Sequence, residues 1–241
     1  MLHGQNLNDK IAIVTGANSG IGYETTRSLA LHGCHVVLAC RDMKAANQAI
    51  DKIRKERPNA KLSTLECDLS KLRSVRHFSE QFLSLNLPLH ILILNAGVFS
   101  LPEHFTEDNI ELTFQVNHLA QHYLAELLRD RLIESQPSRV VVVSSESHRF
   151  SHLNKTNLTA DRFTKPSRFF IPMIAYNDSK LCNLLFVSQY NQRYRNYGIT
   201  CNACHPGNMI SSNISRNWWF YRLLFFFVRP FTKSLVIRDF I

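Results

Sequence analysis

The chain has 241 residues, of which 45% are hydrophobic and 20% are charged. These values are ordinary for a globular protein and suit one domain with a full hydrophobic core, so no second domain is required. The 28 Lys and Arg residues exceed the 19 Asp and Glu residues and give a net charge of +9. The cations are scattered along predicted exposed helix faces and are not clustered, which argues against a nucleic-acid partner.

The first ten residues contain no apolar stretch of the kind found in signal peptides. We therefore expect a cytoplasmic protein, with association to a membrane or an organelle surface left open. The six cysteines fall mostly in predicted strands and helices, where small thiols pack well, and we predict that they are reduced core residues: Cys34, Cys40, Cys67, Cys182, Cys201 and Cys204.

A glycine-rich turn follows the first predicted strand, Ile11–Thr15. Gly16, Gly20 and Gly22 lie where this buried strand gives way to a predicted helix. Glycine lets the backbone adopt unusual φ values and approach a pyrophosphate, whose charge the helix N-terminus stabilises. The spacing G-x3-G-x-G thus predicts dinucleotide binding. A tight strand-to-helix packing turn is the alternative.

The end of the second predicted strand, Val36–Ala39, indicates the type of dinucleotide. An acidic residue at this point would hold the ribose 2′-hydroxyl of NAD, whereas a cation suits the 2′-phosphate of NADP. Cys40 takes the expected acidic position and Arg41 follows it, so NADP is favoured. The acidic residue Asp42 leaves NAD open as a less favoured cofactor. The alternative interpretation of Arg41 is an ordinary solvated loop residue.

Strand-like and helix-like segments alternate along the chain, which predicts an α/β fold: a doubly wound, Rossmann-like parallel sheet with helices on both faces. A long helix is predicted to begin near Glu107 and to run to Leu132. Ligands in such folds bind beyond the carboxyl ends of the strands. The predicted strands are Ile11–Thr15, Val36–Ala39, Leu62–Glu66, Leu89–Leu94, Val140–Ser144 and Ile199–Ala203.

Tyr176 and Lys180 are four residues apart in a predicted helix, which places them on one face. A free tyrosine has a pKa near 10, too high for efficient proton exchange at neutral pH. An ammonium about 4 Å away would lower that pKa by roughly three units at an effective dielectric near 20. The alternative is a routine pair on a helix surface.

Other polar residues fall at strand ends or inside helices where a ligand could use them. Ser145 follows the fifth strand and is predicted to donate to a substrate carbonyl, with Ser144 as the competing choice. Asn117 lies inside the long predicted helix, where asparagine is unfavourable, so a functional role is plausible. We expect the run Asn95–Gly97 to allow close cofactor approach and Asp68 to accept a hydrogen bond from the adenine amino group.

With these motifs in register, the chain from Lys10 to about Gly207 resembles the short-chain dehydrogenase/reductase family, and within it the retinol-dehydrogenase-like members. The resemblance implies a catalytic tetrad of Asn117, Ser145, Tyr176 and Lys180. It also implies that Tyr176 and Lys180 contact the cofactor, together with Gly16, Asn18, Ser19, Gly20, Ile21, Gly22, Arg41, Asp68, Asn95, Ala96, Gly97, Pro206 and Gly207.

The resemblance further implies hydride transfer between nicotinamide C4 and a carbonyl or alcohol carbon. Tyr176 would exchange the proton and Ser145 would orient the substrate oxygen. Lys180 would lower the pKa of Tyr176 and hold the nicotinamide ribose, while Asn117 would position a water that links Lys180 to solvent. No metal is required.

Aromatic and apolar residues between Ser145 and Tyr176, with Trp218–Phe220 further on, favour an apolar substrate such as a retinoid or steroid. A satellite core is an equally weighted alternative. The residues in the first stretch are Phe150, Phe163, Phe169, Phe170, Ile171 and Met173.

Family members usually continue through another helix and a seventh strand, so a single domain lacking these elements is expected over residues 1–241. This keeps a second function open, namely a regulatory or interaction protein that retains nucleotide binding. The apolar segment Trp218–Val228 is too short to span a bilayer, and it could contact a membrane surface or cover the substrate. Many relatives form dimers, and a homodimer is therefore open as well.

Overall fold

Six strands form one parallel sheet in the order β3-β2-β1-β4-β5-β6 in the computed structural model, which describes residues 5–207. The predicted doubly wound architecture is confirmed. Boundaries shift by up to two residues: the fourth strand begins at Ile91, and the fifth ends at Val143, so that Ser144 follows it. The strands are β1 (Ile11–Thr15), β2 (His35–Cys40), β3 (Leu62–Glu66), β4 (Ile91–Leu94), β5 (Ser138–Val143) and β6 (Ile199–Cys204).

Helices connect the strands and cover both faces of the sheet. They are α1 (Gly20–Leu31), α2 (Met43–Glu56), α3 (Leu72–Ser84), α4 (Leu112–Phe114), α5 (Ala120–Leu127), α6 (Arg129–Glu134), α7 (Asp161–Thr164) and α8 (Pro172–Tyr194). A π-helical turn, Gln115–Leu119, joins α4 to α5. Short 3-10 turns cover Glu146–Phe150 and Arg195–Tyr197.

The prediction of one helix from Glu107 to Leu132 is wrong at its start and near its end. The helix begins at Leu112 because the carboxylate of Glu111 accepts hydrogen bonds from the backbone N–H groups of Thr113 and Phe114, both at 2.8 Å. The preceding turn contains Asn109 at φ +57°, which a helix does not allow. α5 ends at Leu127, and α6 follows as a separate short helix.

Two hydrophobic cores lie on opposite faces of the sheet, and β1 contributes to both. Ile11 and Ile13 pack with side chains of α3, α5 and α8, whereas Ala12 and Val14 pack with side chains of α1 and α2. Successive residues of a strand point to opposite faces, which accounts for this alternation. The connections after β1 and β4 therefore diverge to opposite faces, and they leave a crevice beyond the carboxyl ends of these two strands.

Within residues 5–207, no helix is long and apolar enough to cross a membrane. The predicted segments Trp218–Phe220 and Trp218–Val228 lie outside the described residues. All six cysteines lie inside them and are free thiols, five of them buried.

Candidate active site

The glycine-rich turn closes tightly between β1 and α1. Gly16 and Gly20 have φ angles of +65° and +57°, which favour glycine. A Cβ on Gly22 would lie 2.3 Å from the carbonyl oxygen of Gly16. Ser19 is the N-cap residue of α1, yet its side chain makes no capping hydrogen bond. The N-terminus of α1 therefore has the form of an anion-binding site at the predicted position.

The run Asn95–Gly97 is bound to the end of β1 by the side chains of Thr15 and Asn95. The Thr15 hydroxyl accepts from the backbone N–H groups of Asn95 (2.9 Å) and Ala96 (3.0 Å). Asn95 Nδ2 donates to the carbonyl oxygen of Thr15 at 2.9 Å. Gln121 on α5 donates to the carbonyl oxygen of Ala96 at 2.9 Å. Gln121 was not predicted, and its only sequence signal is a polar residue four positions after Asn117.

A cleft of about 460 Å³ lies above these turns. Its lining includes the following predicted cofactor residues: Gly16, Asn18, Ser19, Gly20, Ile21, Arg41, Asp68, Asn95, Ala96 and Gly97. Gly22 packs behind the turn and is not part of this lining. Pro206 and Gly207 follow β6, and Gly207 has a φ of +104°. The structure thus brings together the predicted residues from the ends of β1, β2, β3 and β4.

The last residue of β2, Cys40, carries no negative charge at neutral pH. Cys40 is 3% exposed, and burial raises the pKa of its thiol to about 11 although backbone hydrogen bonds with Ala17 and Asn18 lower it. Asp42 caps α2, accepting from the N–H of Ala45 at 2.9 Å. Arg41 is exposed at the rim of the cleft. The guanidinium is therefore available to an anionic ligand.

Asp68 follows β3, next to β2, and lines the same cleft. One carboxylate oxygen accepts from the backbone N–H of Ser70 at 3.0 Å and from its hydroxyl at 2.7 Å. These bonds fix the orientation of the carboxylate beside the cleft, where we expected a contact with adenine.

Tyr176, Ser145 and Lys180 come together at the carboxyl end of β5. Tyr176 is 8% exposed, and its ring packs edge-on against Phe99 with 4.8 Å between centroids. Its hydroxyl is hydrogen-bonded with that of Ser145. Lys180 Nζ lies 5.4 Å from the Tyr176 ring centroid and donates to the carbonyl oxygen of Val143 at 3.0 Å. The spacing of four residues on α8 produces this grouping.

Burial dominates the protonation of Tyr176 and Lys180. It raises the pKa of Tyr176, and the hydrogen bond with Ser145 offsets only part of that rise. It lowers the pKa of Lys180 to about 8. The net shift runs opposite to the one expected from Lys180, because a buried phenol loses more solvation on ionisation than the Ser145 hydroxyl returns. Tyr176 is consequently protonated at neutral pH.

The hydroxyl groups of Ser144 and Ser145 have different partners. The hydroxyl of Ser144 is buried and donates to the carbonyl oxygen of Lys180 at 2.9 Å, so it holds α8 against β5. Ser145 instead bonds with Tyr176 and accepts from the hydroxyl of Ser147 at 3.0 Å. Ser145 is the serine beside the reactive hydroxyl.

Asn117 is fully buried in the π-helical turn and links three parts of the site. Its Nδ2 donates to the carbonyl oxygen of Val98 at 2.9 Å and to the hydroxyl of Ser179 at 3.1 Å. Its Oδ1 accepts from the N–H of Val98 at 2.7 Å. The amide thus fastens the segment after Gly97 to α8, which explains why asparagine is found inside a helix here.

The aromatic residues after Ser145 do not share one role: some pack as a satellite core, and others are exposed or line a cavity. Phe163 stacks on Phe114 with 3.7 Å between centroids, as in a satellite core. Phe150 and Phe169 are 70% and 78% exposed. A second cavity of about 890 Å³ has Phe163, Phe169 and Ile171 in its wall. Within residues 5–207, no group of three or more His, Cys, Asp or Glu side chains could hold a metal ion.

A glycine turn at the switch point of a doubly wound sheet, with a Ser-Tyr-Lys grouping at the end of β5, is the arrangement of the short-chain dehydrogenase/reductase class. Residues 10–160 match the family model described as short chain dehydrogenase. The chain belongs to the short-chain dehydrogenase/reductase family, as predicted.

Two curated relatives place the chain within the family. It is 51% identical to the WW domain-containing oxidoreductase of Homo sapiens over 237 residues, which cover 98% of this chain and 57% of that protein. It is 40% identical to retinol dehydrogenase 12 of Mus musculus over 225 residues, which cover 93% of this chain and 69% of that protein. The chain therefore spans less than two thirds of the length of the WW domain-containing oxidoreductase.

Solved structures of low sequence identity share the fold. A short chain dehydrogenase/reductase from Burkholderia phymatum in complex with NAD has a TM-score of 0.67 and 21% identity, covering 88% of this chain and 70% of that one. An alcohol dehydrogenase from Thermococcus sibiricus complexed with 5-hydroxy-NADP has a TM-score of 0.63 and 20% identity, covering 82% and 76%. The fold thus occurs with both types of dinucleotide.

Proposed function

We propose that the chain is an NADP-dependent oxidoreductase that transfers a hydride between nicotinamide and an apolar alcohol or carbonyl of the retinoid or steroid kind. The observation that carries this proposal is the grouping of Ser145, Tyr176 and Lys180 beside a cleft with Arg41 at its rim. The similarity to retinol dehydrogenase 12 supports the choice of an apolar substrate.

The residues around the cleft fit a dinucleotide. The pyrophosphate would be held by Gly16–Gly22 at the N-terminus of α1, where no side chain caps the helix. The adenine would lie near Asp68, and the nicotinamide near Asn95–Gly97 and Pro206–Gly207. The nicotinamide supplies or accepts the hydride when bound.

The three polar side chains then have separate roles. The Ser145 hydroxyl orients the substrate oxygen, and the protonated Tyr176 donates a proton to that oxygen in the reductive direction. Lys180 provides a positive charge beside the nicotinamide ribose, since its pKa of about 8 keeps it mostly protonated at neutral pH. Asn117 holds the segment at Val98 against α8. In this proposal it also positions a water that links Lys180 to solvent.

The preference for NADP is argued from charge. The 2′-phosphate adds negative charge where Arg41 is exposed, and the buried neutral Cys40 offers no carboxylate to a 2′-hydroxyl. Asp42 is engaged in capping α2. This arrangement favours NADP over NAD.

The test is titration of the purified chain with NADPH and NADH, followed by nicotinamide fluorescence. We expect Arg41→Gln to weaken NADPH binding by about tenfold, as one lost charge-assisted hydrogen bond implies, and to leave NADH binding within about twofold. Arg76→Gln, which removes an exposed arginine of α3, is the matched control. Equal NADPH affinity in the Arg41→Gln and Arg76→Gln variants would overturn the assignment of NADP.

NADPH binding without oxidation by any apolar carbonyl would instead support the regulatory alternative. A cytoplasmic location, a peripheral membrane contact and a homodimer stay predictions of the proposal. Cell fractionation tests the first, vesicle sedimentation of the purified chain tests the second, and size-exclusion chromatography tests the third.

A further inference from the structure

A buried carboxylate lies two residues beyond Tyr176 on α8. Asp178 is 2% exposed, and two positions along a helix correspond to a rotation of about 200°, so its side chain leaves the helix on a different side from Tyr176. A buried carboxylate is tolerated only where donors satisfy it. The position of those donors shows what Asp178 holds.

Among residues 5–207, every hydrogen bond to the Asp178 carboxylate comes from the loop between β5 and α8. Oδ1 accepts from the Ser151 hydroxyl at 2.7 Å and from the backbone N–H of His152 at 2.9 Å. Oδ2 accepts from Nε of Arg162 at 3.1 Å and also from its Nη2. One carboxylate therefore fastens both the beginning of the loop and α7 to the catalytic helix.

The other side of α7 is fastened to α4. The carbonyl oxygen of Phe163 accepts from the backbone N–H of Glu111 at 2.8 Å, and the Phe163 ring stacks on Phe114. The cavity of about 890 Å³ lies between these two attachments. Its wall includes Asp178 and Arg162 as well as the apolar side chains Phe163, Phe170 and Ile174.

We propose that Asp178 is a positioning residue that holds loop segment 151–165 as a wall of the substrate cavity. This inference rests on the proposed function for the identity of the substrate, whose apolar body would lie against Phe163, Phe170 and Ile174. The oxygens of Asp178 are engaged by Ser151, His152 and Arg162, so we assign it a role through these loop contacts and not through a bond to substrate or cofactor. Its effect reaches the reaction only through the loop segment, so its loss should impair the binding of long substrates and spare the chemical step.

The first test measures the loop segment without any turnover. In Asp178→Asn, an amide replaces the carboxylate that accepts four hydrogen bonds. The NH2 group of the amide is a donor and would face other donors, so some of these bonds are lost. We expect chymotrypsin to cleave after Phe163, within the loop segment, about tenfold faster than in the wild-type chain. Asp161→Asn is the matched control, because Asp161 is also in α7 and loses only an ion pair with Lys165 in which both side chains are 67% exposed. Its cleavage rate should stay within about twofold of the wild-type rate.

The second test separates binding from chemistry. With NADPH as reductant, we expect Asp178→Asn to raise the KM for all-trans-retinal by at least about fivefold, while kcat, the KM for benzaldehyde and NADPH affinity stay within about twofold. We expect benzaldehyde, which has a single ring, to depend little on the loop segment. A general loss of structure would lower kcat and cofactor affinity as well, so the difference between the two aldehydes is specific to positioning.

If Asp178→Asn does not fold, Arg162→Gln provides the same test, since Arg162 is on the partly exposed α7 and leaves Asp178 its two other donors. Wild-type cleavage rates and retinal KM in a folded variant would overturn the proposal, as would a parallel loss of kcat and NADPH affinity. If the wild-type chain reduces neither aldehyde, the proposed function fails, and the cleavage comparison between Asp178→Asn and Asp161→Asn still decides whether Asp178 holds the loop segment.

Discussion

At the scale of single residues, Lys180 is where function and stability conflict most directly. It is 3% exposed, and its Nζ donates to the carbonyl oxygen of Val143 at 3.0 Å. Burial lowers its pKa to about 8. The folded chain therefore carries an ammonium that would be better solvated in the unfolded state, a cost that active sites commonly bear.

We predict that Lys180→Met stabilises the chain at pH 7 by about 1–2 kcal/mol, because it removes this cost and loses one hydrogen bond. Between pH 8 and 10.5, folded wild-type chain releases the Lys180 proton before unfolded chain does. The unfolded state then binds more protons, wild-type stability rises with pH, and the advantage of methionine shrinks. Urea unfolding of both proteins at pH 7 and pH 10 checks this. A Lys180→Met chain that is less stable at pH 7 would contradict it.

Sequence reasoning predicted that Ser145, Tyr176 and Lys180 lie together, but not how they are protonated. A spacing of four residues on a helix suffices to place Tyr176 and Lys180 together, and a strand end suffices for Ser145. The direction of the pKa shift of Tyr176 depends on burial by distant parts of the chain, including Phe99, which no local pattern indicates. The partners that distinguish Ser144 from Ser145 are likewise visible only in three dimensions.

At the scale of elements, the glycine turn is held by close contacts as much as by unusual φ angles. A Cβ on Gly22 would lie 2.3 Å from the Gly16 carbonyl oxygen and 2.5 Å from Asn95 Nδ2. Both atoms belong to turns that line the cofactor cleft. Even one added methyl group must therefore displace backbone.

We predict that Gly22→Ala destabilises the chain by about 1–3 kcal/mol, the usual cost of overpacking, and weakens NADPH binding by at least about tenfold. Thr25→Ala, which introduces the same residue in the same helix, is the control and should have much smaller effects. Denaturant unfolding and fluorescence titration of both variants provide the comparison. Equal results for the two variants would show that the turn tolerates a side chain.

The helix predicted from Glu107 to Leu132 shows where local periodicity fails. Apolar spacing indicates a helix over this region, but it contains no information on where Glu111 caps it or where a π-helical turn interrupts it. That turn lets the Asn117 amide form hydrogen bonds with both the N–H and the carbonyl oxygen of Val98. Such a contact is tertiary, and it overrides the preference for a regular helix.

At the scale of the whole molecule, the sheet was predictable because its strands are apolar runs separated by segments long enough for crossover helices. Alternate residues of β1 face two cores, so the strand is buried on both sides as its composition indicates. Residues 151–171 were not predictable in the same way. They follow no period, and their positions depend on single contacts such as those of Asp178 with Ser151 and Arg162.

The measurement that tests the central claim most directly is the oxidation of NADPH by all-trans-retinal, catalysed by the wild-type chain and by Tyr176→Phe. Phenylalanine keeps the ring contact with Phe99 and removes only the hydroxyl, so the packing around position 176 should be unchanged. The account predicts oxidation by the wild-type chain and a loss of at least about a hundredfold in kcat for the variant. Equal turnover by the two proteins would contradict it.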